Sequence, residues 1–424
     1  MKFSRRYIKQ PLLLILLTLF TILSQTGLTN AYSLENFYTP TPTTLAGFNL
    51  TNSNHGFMWF LKRQDSQIVK LYPNGGMEEY DIPNLTPGGA ISNITIGSQG
   101  EAIFLYSNSS ESNPTRTAQI VIATQNGVIN SIPFTLPTTP NNSADTSFFF
   151  NTIEQSIDGN FFVVAHGAPE SSITAVKVNN SGSILNTWDI EGNGTTAGSA
   201  VDPSGNLWIA PAGDLIKITP AGQIYTFPLQ NIGFALDIET DNSGNIWILP
   251  NAKHSFSQPD VIAQFNQNEQ ITYHNLLPTG AIANGYPGIL KAPNGEIYFT
   301  TMQLPENNTL GKAYLYKINQ NGTMQQVLEF NTEDFPIDLA YDDSGNLWGL
   351  FISPTEDPSE ANFRVAKFID YQTEPIITPT VPKSGNNAAF IVISSLAIAS
   401  CLLFIIYAHK KHQKYLPRTK KETN

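Results

Sequence analysis

The chain offers few side chains for covalent or metal chemistry: six histidines and one cysteine in 424 residues. Cys401 sits inside an apolar run, and no Cys-x-x-Cys pair, His-Glu-x-x-His helix or Gly-x-Ser-x-Gly elbow occurs. Zinc-protease and nucleophilic-hydrolase chemistry therefore lacks a starting point. What remains is imidazole and carboxylate. His166 lies near Glu170, and His254 near Asp260. Such pairs either ligate a metal or titrate near neutral pH, or they are unrelated solvated neighbours. Asp237 and Asp338 stand at equivalent places, each seven residues before the glycine of an Asp-x-Ser-Gly-Asn motif. Carboxylates recurring at one offset either hold a cation such as Ca²⁺ or each accept a backbone amide of the next repeat. Asp214 is the remaining ligand-binding candidate. None of these residues requires a cofactor; a divalent cation, Ca²⁺ or Mg²⁺, is the one they suit, with its metal ligands left unassigned.

The elements that must position these groups come from an internal repeat. The clearest unit runs Asp202-Pro-Ser-Gly205-Asn-Leu-Trp208-Ile, then Leu215-Ile-Lys-Ile218, then Ala221-Gly222-Gln-Ile-Tyr-Thr-Phe-Pro-Leu229. Its opening recurs at Asp241–Trp247 and Asp342–Trp348, and in weaker form around Gly56, Gly100, Gly159 and Gly295. Seven turn glycines result, spaced 44, 59, 46, 39, 51 and 50 residues apart. Such a period holds four short strands. In each turn the Asp, Ser and Asn side chains cap the backbone and the glycine accepts positive φ, while the alternating apolar and aromatic residues that follow suit a half-buried strand. Asp202, Asp241 and Asp342 are accordingly turn residues. A four-stranded antiparallel unit cannot bury both faces alone and must pack against its neighbours around an axis. The fold class expected is all-β, a seven-bladed β-propeller over residues 32–371. Repeat seven lacks a clear second turn, and Tyr32–Tyr38 resembles an outer strand, so the N-terminal piece is expected to complete the last blade.

Both ends carry a different message. Lys2, Arg5, Arg6 and Lys9 precede an apolar stretch and a small residue at Ala31, the layout of a secretory signal over residues 1–31. Residues 388–408 hold no charge and are long enough to cross a bilayer as one helix. Six basic residues follow in the tail, 409–424, which the positive-inside rule keeps cytoplasmic. Residues 372–387, rich in Pro, Thr and Asn, form a spacer. The expected arrangement is a cell-membrane protein with an extracytoplasmic propeller. The exported part carries 13 Lys and Arg against 33 Asp and Glu, a net charge of −20, which disfavours nucleic acid as a partner. Nine Asn-x-Ser/Thr sequons suit a surface glycoprotein, though a chain this rich in Asn, Ser and Thr forms many by chance.

The unit Asp-x-x-Gly-Asn-Leu-Trp, followed by Ile-Lys-Ile-Thr-Pro-Ala-Gly-Gln-Ile and a Phe-Pro-Leu strand, resembles the streptogramin B (virginiamycin B) lyase superfamily of seven-bladed propellers. NHL-type propellers share much of the pattern. The resemblance implies a metal-assisted acid/base site built from a histidine eight residues before a turn glycine, a glutamate six after it and a histidine nine after it. Here the first offset falls on Phe48, Ser92, Asn151, Ala197, Leu236, Pro287 and Ile337. The second falls on Lys62, Tyr106, Ala165, Pro211, Pro250, Thr301 and Phe351, and the third includes Asp65 and Asp214 but no histidine. The constellation is absent, so the resemblance carries the fold while its ligand set and proton acceptor are missing. The expectation is a non-catalytic binding module that takes a protein, glycan or small ligand on the face bearing the long loops. A divergent lyase-like enzyme and a structural component of the cell envelope are the alternatives.

Overall fold

In the computed structural model the described residues are 32–39, 49–62, 65–83, 90–107, 116–137, 147–168, 173–190, 198–211, 213–229, 232, 235–250, 261–276, 282–283, 288–303, 312–330, 336–353 and 362–369. The expected signal, spacer, membrane span and tail lie outside them. Among the described residues no helix is long and apolar enough to cross a membrane.

Seven antiparallel sheets follow one another along the chain, the first six with their strands in sequence order from the axis outward. Blade 4 is the simplest: Ser199–Val201, Leu207–Ile209, Asp214–Ile218 and Ile224–Pro228. In blades 2 and 6 the innermost strand is split in two pieces. The seventh blade consists of Pro336–Tyr341, Leu347–Ser353 and Asn362–Ile369, and its outer strand is Ser33–Phe37 from the N-terminus. Ser33 pairs with Ile369 and Phe37 with Val365, so the ring closes through the first strand of the chain, in agreement with the sequence reading.

In blades 4, 5 and 7 an aspartate fastens the turn between the first and second strands. Asp342 Oδ1 accepts the amides of Ser344 and Asn346, both at 2.9 Å, and its Oδ2 accepts Asn346 Nδ2 at 2.8 Å and Trp348 Nε1 at 2.9 Å. Asp202 and Asp241 make the same set of bonds. One carboxylate thus closes the turn and ties down the tryptophan that heads the second strand. Gly205, with φ at 81°, occupies the left-handed region that this turn requires.

The seven buried apolar clusters correspond to the seven seams between blades. One joins Met58, Phe60 and Val69 of blade 1 to Trp348, Leu350 and Val365 of blade 7, with Phe37 of the closing strand packed against it. The seams are also keyed at the rim. Phe37, Tyr80 and His274, on the outer strands of blades 7, 1 and 5, lie where a Cβ on the glycine of the next blade's outer turn would have to go, at Gly75, Gly127 and Gly322, and Trp188 of blade 3 stands at van der Waals distance from where a Cβ on Gly222 would lie. Ring packing of this kind buries large apolar area and leaves only glycine admissible opposite it.

Candidate functional site

The innermost strands enclose an axial cavity of about 1090 Å³, lined by residues of all seven blades from the loop-bearing end down to the turns. Its titratable lining is lopsided: Glu154 from blade 3, Asp237 and Glu239 from blade 5 and Asp338 from blade 7, with Lys291 of blade 6 as the lysine, besides Asp202 at a turn and Tyr341. All four of the first-named carboxylates line the cavity and are only partly accessible.

Asp237 and Asp338 do in this structure what the second of their two sequence readings expected. Asp237 Oδ1 accepts the amide of Ile238 at 2.9 Å, and its Oδ2 accepts the amide of Ile289, in blade 6, at 3.0 Å. Asp338 Oδ1 accepts the amide of Leu339 at 2.8 Å, while its Oδ2 takes the amides of Asn49 and Leu50 in blade 1, at 2.7 and 2.8 Å. Each carboxylate therefore staples its blade to the next. The blades on either side must leave room. A Cβ on Gly288 would strike the Asp237 carboxyl, and one on Gly198 would come within 2.9 Å of the Ile238 amide nitrogen. Where blade 1 receives Asp338, Asn49 adopts φ of 92°.

One level deeper, two residues along the strands, stand Glu154 and Glu239, which sequence reasoning did not single out. Glu154 bridges three blades, accepting Thr95 Oγ1 of blade 2 on Oε2 and Ser199 Oγ of blade 4 on Oε1, both at 3.1 Å. Ser199 Oγ also lies 2.7 Å from Thr152 Oγ1. Burial first, then the negative charges of Glu239 and Asp237, push the Glu154 pKa up to about 8, against the help of its two hydroxyl donors. Burial similarly raises Asp237 to about 7 and Asp338 to about 6, despite the backbone amides that favour their charged forms. Glu239 is also raised by burial, opposed by Lys291. Burial thus favours the protonated form of all four carboxylates, and a cation entering the cavity would favour their charged forms.

At the loop-bearing end, the innermost strands of blades 3, 5 and 7 each carry an irregularity at the same offset, skipping Asn151, Leu236 and Ile337 in their pairing with the second strand. Such a bulge re-aims the extra side chain. In blade 3 Asn151 Oδ1 lies 2.8 Å from His166 Nδ1, and the imidazole stacks on Phe149 with centroids 4.9 Å apart. His166 is partly buried, and that burial lowers its pKa. Its described hydrogen-bond partner is Asn151.

Of the remaining predicted residues, Glu170, His254 and Asp260 lie outside the described residues. Asp214 heads the third strand of blade 4 and is not among the residues lining the cavity. Lys62, at the offset where the lyase resemblance implies glutamate, is fully buried and bonds Gln67 and Glu79, each at 3.0 Å. Among the described residues, no group of three or more His, Cys, Asp or Glu is arranged to hold a metal ion.

No protein-family model matches the chain, and no curated protein matches its sequence. Solved structures do resemble it. A streptogramin B lyase superposes with a TM-score of 0.58 at 16% identity, covering 81% of this chain and 100% of the lyase. Virginiamycin B lyase from Staphylococcus aureus, substituted with selenomethionine, gives 0.56 at 15% identity over 80% of this chain and 99% of that one. A catalytically inactive variant of that enzyme with quinupristin gives 0.55 at 15% identity over 79% and 99%. At this level of identity the likeness speaks for architecture: the chain is a seven-bladed β-propeller structurally close to the streptogramin B lyases.

Proposed function

We propose that the protein is a binding module for organic cations, received through the loop-bearing mouth of the axial cavity. The observation that carries this reading is the pair of carboxylate levels, Asp237 and Asp338 above Glu154 and Glu239, facing one shared space. Two residues along a strand separate the levels by about 6.6 Å. That is close to the spacing of amino groups on a short alkyl chain, so a linear polyamine, or a lysine-rich segment of a protein partner, fits the pattern. In titration calorimetry, spermidine should bind at pH 8 and more weakly at pH 5.5, where Glu154, Asp237 and Asp338 hold protons. Glu154→Gln and Glu239→Gln should each weaken it by about tenfold, the equivalent of one charge-assisted hydrogen bond. Spermidine that gives no heat, or binds both variants as tightly as the parent, rules the reading out. A divalent cation held in the same field would show as competition by Ca²⁺ or Mg²⁺.

The same reading puts the propeller outside a membrane, with residues 1–31 as export signal and residues 388–408 as the anchor. It is supported by the basic residues around both apolar runs. Removing residues 388–424 should release the protein from the membrane pellet; a full chain already in the supernatant would refute the anchor.

A second reading, a divergent acid/base enzyme on the lyase plan, draws on the structural likeness and on the anchored imidazole of His166. Incubation with quinupristin should then yield a modified product by mass spectrometry, lost in His166→Phe. Unchanged quinupristin would count against it.

A further inference from the structure

We infer that Lys291 holds an anionic group of the cavity's ligand, so that the organic cation of the reading above, on which this inference rests, is a zwitterion: a free diamino acid with its carboxylate toward the turn-bearing end. Lys291 lines the same cavity as Glu154, Asp237, Glu239 and Asp338, on the innermost strand of blade 6, Ile289–Lys291. Its backbone is placed by pairing with Ile297 of the second strand. It stands four residues before its turn glycine, where the two glutamates stand five before theirs and the two aspartates seven. Charge along the cavity therefore runs from aspartate through glutamate to lysine, and three residues of strand put the ends of that series about 10 Å apart.

The Lys291 ammonium is not spent on the carboxylates beside it. The residue is exposed, and among the described residues its ammonium makes no hydrogen bond or ion pair. Glu239 is near enough for the Lys291 charge to oppose the rise that burial gives its pKa, yet its Oε1 accepts the Thr240 amide, at 2.7 Å. Lys62, Lys177, Lys312 and Lys317, by contrast, each close on a carboxylate. Nor does the strand call for a charge at this place. The other blades carry Asn52, Ile96, Gln155, Val201, Thr240 and Tyr341 there, all uncharged and all lining the cavity. An ammonium with uncommitted donors at the far end of an acidic cavity discriminates among cations. A polyamine long enough to reach it sets amine against amine. A diamino acid places its side-chain ammonium at the aspartate level, its α-ammonium by the glutamates and its carboxylate on Lys291. A lysine within a protein chain has no free carboxylate and forgoes that contact.

The test compares L-lysine with cadaverine, the same diamine without the carboxylate, by titration calorimetry on the solubilised full chain at pH 8. The parent should bind lysine about tenfold more tightly than cadaverine, the equivalent of one charge-assisted hydrogen bond. Lys291→Met, which keeps the apolar stem and removes the charge, should erase that preference by weakening lysine and sparing cadaverine, with little change in melting temperature. Lys291→Arg, which keeps the charge, should retain it. Cadaverine bound by the parent as tightly as lysine overturns the inference before any variant is made, and so does a preference for lysine that survives in Lys291→Met. In either case, cadaverine or spermidine binding that weakens in Glu239→Gln leaves the cavity reading standing. If lysine, cadaverine and spermidine all fail to bind, the cavity reading falls and this contact with it.

Discussion

The turn between the first and second strands and the strand that precedes it belong to the same repeat, only a few residues apart, and they behave oppositely. In the turns, Asp202, Asp241 and Asp342 make the same bonds to the same partners, and each is nearly inaccessible. In the innermost strands one offset carries Thr152 in blade 3, glycine in blades 4 and 6, and aspartate in blades 5 and 7. The three turns that carry aspartate agree bond for bond, and the other four, with Ser53, Gly97, Ser156 and Ala292 at that offset, close through the same backbone bond, from the amide at that offset to the carbonyl four residues on. Where the side chain faces the cavity, copies diverge, and the four carboxylates gather on three of the seven blades. Uniformity in a repeat protein marks scaffold, and divergence at a fixed offset marks the surface that is free to specialise.

The largest effect expected from this contrast is at the uniform end. Asp342→Ala removes the acceptor for two backbone amides, the Asn346 amide group and the Trp348 indole, in a residue only 2% exposed. Leaving several buried donors unpaired should cost about 3–4 kcal/mol in urea unfolding. Asp343→Ala, one residue on and exposed, should cost far less. Equal losses at the two positions would mean that the turn carboxylate is not the fastener proposed.

Next comes the fit of one blade into another at the divergent end. Gly288→Ala puts a methyl group into the Asp237 carboxyl and should destabilise by about 2 kcal/mol, as overpacking does. The pairing is specific, so replacing Asp237 by Gly, the residue blade 4 has there, should recover part of that loss. Strictly additive effects in the double-mutant cycle would show that the two positions do not touch.

Much of this is legible in the amino-acid sequence alone. The turn motif, the seven-fold period and the closing N-terminal strand follow from local rules, because glycine at positive φ and capping side chains leave a signature in the residues themselves. The role of Asp237 is legible only as one of two readings, since its acceptor duty depends on Ile289 arriving from another blade beside a glycine. Glu154 and Glu239 stand at one offset, five before their turn glycines, and aligning the repeats at that offset would have exposed them. Asn151 and His166 meet through a bulge, which shifts the pairing by one residue and hides the partnership from any argument based on strict alternation.

A smaller effect should appear in the pH dependence of stability, where the cavity and the rim pull in different directions. Glu154, Asp237 and Asp338 have folded pKa values raised to about 8, 7 and 6, so the folded state holds protons that the unfolded chain releases. Their contribution is fully present below the unfolded values near 4 and is lost as pH rises through the folded ones. Melting temperature should therefore decline from about pH 5 to pH 8. Glu154→Gln, which cannot ionise, should flatten the decline. Asp158 acts oppositely: against the pull of burial, Lys177 and Asn160 hold it down to about 2, so its contribution fades only as pH falls below about 4. A melting temperature that rises between pH 5 and 8 would contradict the buried-carboxylate account.

The smallest effect isolates a single seam. The glycines at the rim are covered by Phe37, Tyr80 and Trp188 in three places and by His274 in a fourth, and of these side chains only the imidazole can take up a proton below neutral pH. Its ring lies 6.0 Å from that of Trp247, and its Nε2 is buried without a hydrogen-bond partner. Burial lowers the His274 pKa, so the folded state resists a proton that the unfolded chain accepts. The stability it supports is present above the ordinary histidine value and is lost as pH falls through and below it. His274→Phe, which gives this seam the residue that the closing strand uses on Gly75, should leave the melting temperature at pH 7.5 almost unchanged and reduce its drop between pH 7 and pH 5.5. If parent and variant lose stability in parallel over that interval, the proton is taken up elsewhere, and the seam between blades 5 and 6 is held as indifferently to pH as its aromatic counterparts.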